Sequence, residues 1–406
     1  MINRREILKQ LTILPLAGGA LSVIPFASVL ASPVKKSTRN IFEELGVRTF
    51  INAAGTYTFM TGSLMRDAVT EAIMDSAHDF CLLDDLQDKV GEKIAAMVHA
   101  EATVVTSGAF SALTLGLAGI LTGTDPAKVA VLPQIEGTGL KSEVIVQKMH
   151  AIGYNHAFLN TGCKIIAVET AEEAQNAINS KTALMHFLNI EADKGQIQHE
   201  EWVAIAKKNG IPVSIDIAAD VPPVSNLWRF NDMGFDFVAL SGGKAIRGPQ
   251  SSGLLMGKKD IIAGARAHMP PRGETLGRGM KVNKEEIIGL YVALETFIAL
   301  DHEKEARQWA QQINVISDSV AAVPAVNVKT ITPQLGNVTP TLTISWGEQI
   351  KLSGDLLQEN LRKGNPSIEI AAPLKSSINV TAWMLKPGQE KIVAKRIKEE
   401  LEKASV

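Results

Sequence analysis

Cysteine is nearly absent: Cys81 and Cys163 stand alone among 406 residues, with no Cys-x-x-Cys pair. That excludes a disulfide-stapled scaffold and any cysteine-based zinc spacing, and two unpaired thiols are expected. Aromatic residues make up only 5% of the chain, and the formal charge of −2 is spread without long blocks of one sign. The clustered basic face that binds a nucleic acid is therefore missing, and no nucleic-acid partner is expected. A Walker-type GxxxxGK loop is absent too, which argues against nucleoside triphosphate chemistry. Neither an internal repeat nor a low-complexity segment is present, so solenoid and linker readings fall away. What is there is ordinary globular composition, 46% hydrophobic and 21% charged with 32 Gly and 17 Pro, in a chain long enough to bury a large core.

The first 31 residues read as a targeting segment. Arg4-Arg5 precedes Glu6-Ile7-Leu8-Lys9, then an apolar stretch from 11 to 30 broken by Pro15, Gly18, Gly19 and Pro25, and then Ala31. A charged region, an apolar region and small residues at a cleavage point follow in the order of an export signal. The paired arginines resemble the twin-arginine signal, which implies the twin-arginine export machinery as a partner and a periplasmic location. An uncleaved membrane anchor is the alternative, weakened by the prolines and glycines. Removal of residues 1–31 would leave the chain at −4.

Beyond a Ser/Lys-rich linker at 32–39, short β-branched runs alternate with helical patterns, the mark of an α/β fold with a mainly parallel sheet between helices. Runs at 103–105, 165–168, 183–188, 213–215 and 237–240 predict buried strands, and the spacing predicts helices over 65–80 and 285–300. Asn283 and Glu286 form a capping-box-like pair at the start of the second helix. From about 305 the pattern turns to α+β, with strands near 326–331, 341–346, 367–371 and 378–382 and helices near 355–362 and 389–403. The expected organisation is thus an export signal at 1–31, a large domain at 32–304 and a small C-terminal domain at 305–406.

Three short stretches carry chemistry. Ser241-Gly242-Gly243-Lys244-Ala245-Ile246-Arg247-Gly248 follows a strand and continues to Leu255. Glycines on either side let the backbone approach another group closely and set the lysine at a cleft mouth, where its amine can form a Schiff base. Arg247 supplies part of the electrostatic push toward a neutral amine. Asp216 ends an apolar strand at the sheet edge where ligands bind in α/β proteins; a pyridinium nitrogen would compensate its burial, and small Ala218 would admit a flat ring. Thr106-Ser107-Gly108-Ala109 leads from a strand into a helix whose free amides could cradle a phosphate. Taken singly, each also reads as a structural feature: a Gly-rich turn with a solvated lysine, a helix cap, a tight turn.

In chain order these elements have the layout of fold-type I pyridoxal phosphate (PLP) enzymes. Asn52-Ala53-Ala54-Gly55, the turn at 106–109, Asp216-Ile217-Ala218-Ala219, the run from 241 to 255 and Gly277-Arg278-Gly279-Met280-Lys281 together resemble the selenocysteine synthase-like group. That group includes L-seryl-tRNA(Sec) selenium transferase and D-glucosaminate-6-phosphate ammonia-lyase. The resemblance covers nearly all of the chain after Ile41 and is most specific in SGGK-x-x-RGPQSSG. It implies the cofactor pyridoxal 5'-phosphate, held by Lys244, with Asp216 paired to the ring nitrogen and Ala218 under the ring. Ser107, Gly108, Ala109 and Ser241 would bind the cofactor phosphate. His150 would stack on the ring's other face, and Arg247 and Arg278 would hold an anionic part of a small amino substrate.

The expected reaction is α,β-elimination on an amino acid or amino sugar acid. Transamination or racemisation would share its first steps, and a fold that binds PLP without catalysis is the reading from another class. The resemblance also implies a homodimer or larger homo-oligomer. The export signal stands where the selenium transferase carries its tRNA-binding domain, so selenium transfer is not expected even though the family label names it.

Overall fold

The computed structural model describes residues 39–406. The expected export signal and most of the expected linker lie outside the described residues. Residues 39–48 fall in a unit of their own, in which Asn40 caps one helical turn, Ile41–Glu44, by accepting from the Glu43 amide. The second unit runs from Thr49 to Val406.

That unit begins with β1 (Ile51–Ala53) and then builds a central sheet from β2 (Ala102–Thr106), β3 (Glu143–Gln147), β4 (Lys164–Val168), β5 (Thr182–Leu188), β6 (Val213–Asp216), β7 (Phe237–Ser241) and β8 (Gly253–Gly257). The order across the sheet is β2-β8-β7-β6-β5-β3-β4. Only β8 runs against the rest, antiparallel to both β7 and β2. All seven residues of β5 are buried, which is why a continuous apolar run rather than an alternating one marks this strand in the sequence. The mainly parallel sheet is the α/β architecture expected. Strands β3 and β8, which carry no turn signals strong enough to isolate them, were not expected from the sequence.

A second hydrophobic core gathers Ile313, Ile316, Leu342, Ile344, Val380 and Ile397 among others. It contains the antiparallel strands β9 (Val326–Ile331), β10 (Thr341–Trp346) and β12 (Ser377–Thr381). It also draws in Ile51 and Ala53, because β1 pairs in parallel with β11 (Ile368–Ile370). A three-residue strand from the start of the unit thus completes a core built mainly from its end, a pairing that no local pattern announces. The capping box at Asn283 and Glu286 forms with both of its hydrogen bonds, on the helix Lys284–Ile298. Cys81 is exposed and Cys163 buried, and both are free thiols.

Candidate active site

Register brings the motifs together. Thr106 on β2 lies opposite Gly253 on β8, and Gly253 lies opposite Ser241 on β7. One strand further, Asp216 closes β6 beside Ala239. The strand exits that carry Ser107, Ser241 and Asp216 therefore share one edge of the sheet, the carboxyl edge where α/β proteins bind ligands. Gly253 is required there. A Cβ on it would stand 2.3 Å from the Gly108 carbonyl carbon, so only glycine lets β8 pass this close to the start of the helix Gly108–Thr122.

Lys244 sits three residues beyond the end of β7, in a loop stitched at several points. Gly242 donates to the Ser252 carbonyl, Arg247 to the Lys244 carbonyl and Gly248 to the Gly242 carbonyl. Ser63 donates to the Gly243 carbonyl through both its amide and its hydroxyl, each at 3.0 Å. Arg247 holds a left-handed φ of 59°, a strained value for a residue with a side chain and one that clusters at functional sites. Its guanidinium donates to the Trp383 carbonyl at 2.6 Å.

The cleft at this edge has a volume of about 310 Å3, and its lining includes Thr58, Gly62, Ser241, Lys244, Gln250 and Ser251. A cleft of about 360 Å3 lies at the opposite edge, around Asp236. There Asp236 is already bonded by Lys207 and Lys258, both at 2.7 Å, which leaves no reactive group unoccupied. Chemistry therefore favours the smaller cleft.

Electrostatics single out the same place. Burial pushes the Lys244 ammonium below its ordinary range, opposed by the charges of Asp216 and Asp220. Asp216 is 5% exposed, and burial raises its carboxyl despite the Ala218 amide that donates to it at 2.8 Å and the positive charge of Lys244. Asp220, two residues beyond Ala218, is buried as well and pushed up to about 6, mainly by desolvation.

Of the sequence candidates, Ser241 and Lys244 line the cleft and the strand exits carrying Ser107 and Asp216 share its edge, whereas His150 and Arg278 are placed differently. His150 is fully buried. Its Nε2 donates to the Glu191 carbonyl, its Nδ1 accepts from the Leu188 amide, and its ring meets Phe187 edge to face at 4.5 Å. With both nitrogens bonded and no ring face open, it packs the core and is corrected from a cofactor-stacking residue to a structural one. Arg278 is exposed in the turn Leu276–Gly279, and the cleft lining does not include it. By contrast, Asp220 and Arg66 were overlooked. Arg66 pairs with Glu305 at 2.9 Å, its Nε is buried without a partner, and its charge adds to the burial that lowers Arg247. Neither residue had a signal readable without its distant partner.

The residues fit the expected cofactor. A buried acid, a desolvated amine and a helix start whose first amides have no partner within the helix can hold a pyridinium, a carbonyl carbon and a phosphate respectively. Comparison with known proteins agrees. The aminotransferase class-V family model matches residues 75–278. A D-glucosaminate-6-phosphate ammonia lyase of Salmonella typhimurium is 29% identical over 297 residues, 70% of this chain and 76% of that one. A 5'-C-glycyluridine monooxygenase-decarboxylase of a Streptomyces species is 26% identical over 376 residues, 88% and 91% of the two chains. The selenium transferase of Mannheimia succiniciproducens matches at 27% over 43% of this chain and 44% of that protein. A solved structure of D-glucosaminate-6-phosphate ammonia-lyase superposes with a TM-score of 0.78 at 26% identity, covering 90% of this chain and 99% of the other.

Proposed function

Because this chain belongs to the class-V aminotransferase family, whose cofactor is pyridoxal 5'-phosphate, we propose that it acts on an amino acid or amino sugar acid by α,β-elimination, with Lys244 and Asp216 as the working pair. Cα loses its proton and Cβ its leaving group, and hydrolysis of the released enamine by water gives ammonia and an oxo acid. The observation that carries this reading is a buried lysine whose ammonium is destabilised by desolvation and countered by the Asp216 carboxylate one strand away. Bound PLP supplies an electron sink that acidifies the Cα–H of an attached amine. The depressed Lys244 amine is suited to accept that Cα proton once free of the cofactor. Asp216 holds a proton at the ring nitrogen. Its carboxyl, raised in the cofactor-free protein, is drawn back to the ionised state by the positive charge it faces.

Ser107, Gly108, Ala109 and Ser241 bind the cofactor phosphate, through amides at a helix start and through hydroxyls. Arg247, with Arg66 beside it, binds a substrate anion. Arg66 is paired with Glu305, whereas Arg247 is held by the Trp383 carbonyl and feels the charges of both, so its positive charge suits a substrate carboxylate.

The full protein acts as a homodimer or larger homo-oligomer. In support, the segment that supplies Thr58 and Gly62 to the cleft exposes Tyr57, Phe59, Leu64, Phe80 and Leu82, with Phe59 78% exposed. Export through the twin-arginine route completes the reading, supported by Arg4-Arg5 and the apolar stretch that follows. Arg4→Lys with Arg5→Lys should hold the protein in the cytoplasm; unchanged periplasmic recovery rejects that route.

Borohydride reduction of the PLP-loaded protein followed by peptide mapping should mark Lys244, and Lys244→Ala should abolish the mark. Incubation with candidate amino acids and amino sugar acids should release ammonia and an oxo acid without an amino acceptor. A requirement for an oxo-acid acceptor would establish transamination instead. Release of carbon dioxide would favour the chemistry named in the Streptomyces relative.

A further inference from the structure

Asp220 is the buried charged group at this edge to which the reaction proposed above gives no task. It is 2% exposed. Its Oδ1 accepts from the Gly336 amide at 3.0 Å, across 116 residues of chain. The next amide, Asn337, donates to the Ala219 carbonyl at 2.6 Å. On its other side Asp220 accepts from the Asn189 side chain, whose Oδ1 in turn meets His199 Nε2 at 2.8 Å. Its own backbone is tied down as well, the amide to the Ile217 carbonyl at 3.0 Å and the carbonyl to Asn226 Nδ2 at 2.7 Å.

The turn from Asp216 to Asp220 thus meets the loop around Gly336 through two hydrogen bonds, one to backbone and one to the Asp220 carboxylate. That loop leads directly into β10, a strand of the second core. Ala218, placed under the cofactor ring by the reading above, lies inside the clamped turn, and its amide orients the Asp216 carboxylate.

We propose that Asp220 is a positioning residue: its carboxylate clamps the turn bearing Asp216 and Ala218 against the loop at Gly336–Asn337, so that the ring-binding surface is set only when the second core is seated. The inference rests on the assignment of Asp216 and Ala218 to the cofactor ring. The geometry defines what a replacement must keep. Asparagine retains an acceptor for the Gly336 amide, whereas alanine leaves that buried amide and the Asn189 side chain unpartnered.

Hydrogen exchange on the full cofactor-free chain reads the clamp directly. In Asp220→Ala, peptides covering 217–220 and 335–338 should exchange at least about ten-fold faster than in the wild type, the scale of one buried hydrogen bond to a charged group. In Asp220→Asn they should stay within about three-fold. Titration with PLP, followed by visible absorbance, should show Asp220→Ala binding about ten-fold more weakly and Asp220→Asn restoring most of the loss. Unchanged exchange in Asp220→Ala overturns the clamp. Faster exchange with unchanged PLP affinity overturns its role in positioning while leaving the cofactor assignment intact. A wild-type protein that takes up no PLP overturns both, and only that result touches the reading on which this one rests.

Discussion

At the scale of single residues, the site turns on two opposed charges that burial makes costly. Asp216 is raised and Lys244 lowered by the same cause, loss of water; the Lys244 charge is supported mainly by Asp216, and that of Asp216 by the Ala218 amide and then by Lys244. Replacing Asp216 by Ala removes the group proposed to hold the proton at the ring nitrogen. Turnover should fall by about 100-fold or more while PLP still maps to Lys244, checked by steady-state rate alongside reduction and peptide mapping. A variant that turns over at the wild-type rate would remove Asp216 from the chemistry. The placement of both residues at a strand end was legible in the sequence, because an acid closing an apolar strand and a lysine following two glycines are local patterns. His150 was misread for the complementary reason. Nothing in Lys148-Met149-His150 tells whether the ring faces a cleft or, as found, is bonded on both nitrogens inside the core.

At the scale of elements, the loop that presents Lys244 depends on close backbone approach. A Cβ on Gly243 would stand 2.5 Å from the Gln250 Cα and 2.9 Å from its carbonyl oxygen. Gly243→Ala must therefore move the Lys244 loop away from the segment that leads into β8. The expected result is a destabilised protein, by about 1 to 3 kcal/mol on the scale of overpacking, with weakened PLP binding. Thermal unfolding and PLP titration check both, and a variant that matches wild type in each would show the loop to be freer than its contacts imply. The strands that line the site were readable from their apolar runs, whereas β8, whose pairing fixes Gly253 against Gly108, was not. Its register is set by neighbours far away in sequence.

At the scale of the whole molecule, four buried histidines make stability depend on pH. Desolvation lowers His150, His199 and His268 to about 4 and His186 to about 3. Their folded values lie below the unfolded 6.5, so protons bind the unfolded chain more readily. The stability they contribute is complete above pH 6.5 and is lost as pH falls toward 4, by about 1.4 kcal/mol per pH unit for each histidine. The thermal midpoint should therefore drop steeply between pH 6.5 and 4.5, and a flat profile over that window would contradict neutral burial. Asp220 works in the other direction. Its raised carboxyl adds stability at low pH that is lost as pH rises through about 6, so one carboxyl offsets only part of the histidine effect. Assembly belongs to this scale as well. Phe59→Asp with Phe80→Asp should convert the proposed homo-oligomer to monomers in sedimentation, without unfolding any copy, since both side chains are exposed in the single chain; unchanged sedimentation would remove this face from the assembly.

The sequence by itself determined the fold class and pointed to Lys244 and Asp216 as candidates, because strand periodicity, glycine placement and an acid at a strand end are consequences of local backbone chemistry. Only the tertiary structure decided which polar groups meet. Parallel pairing joined β1 to a core more than 260 residues away, Gly336 reached back to Asp220, and His150 was sealed from the cleft. The physical reason is the same in each case: burial and hydrogen-bond satisfaction are properties of the packed chain, and a residue's neighbours in space are not written in its neighbours in sequence.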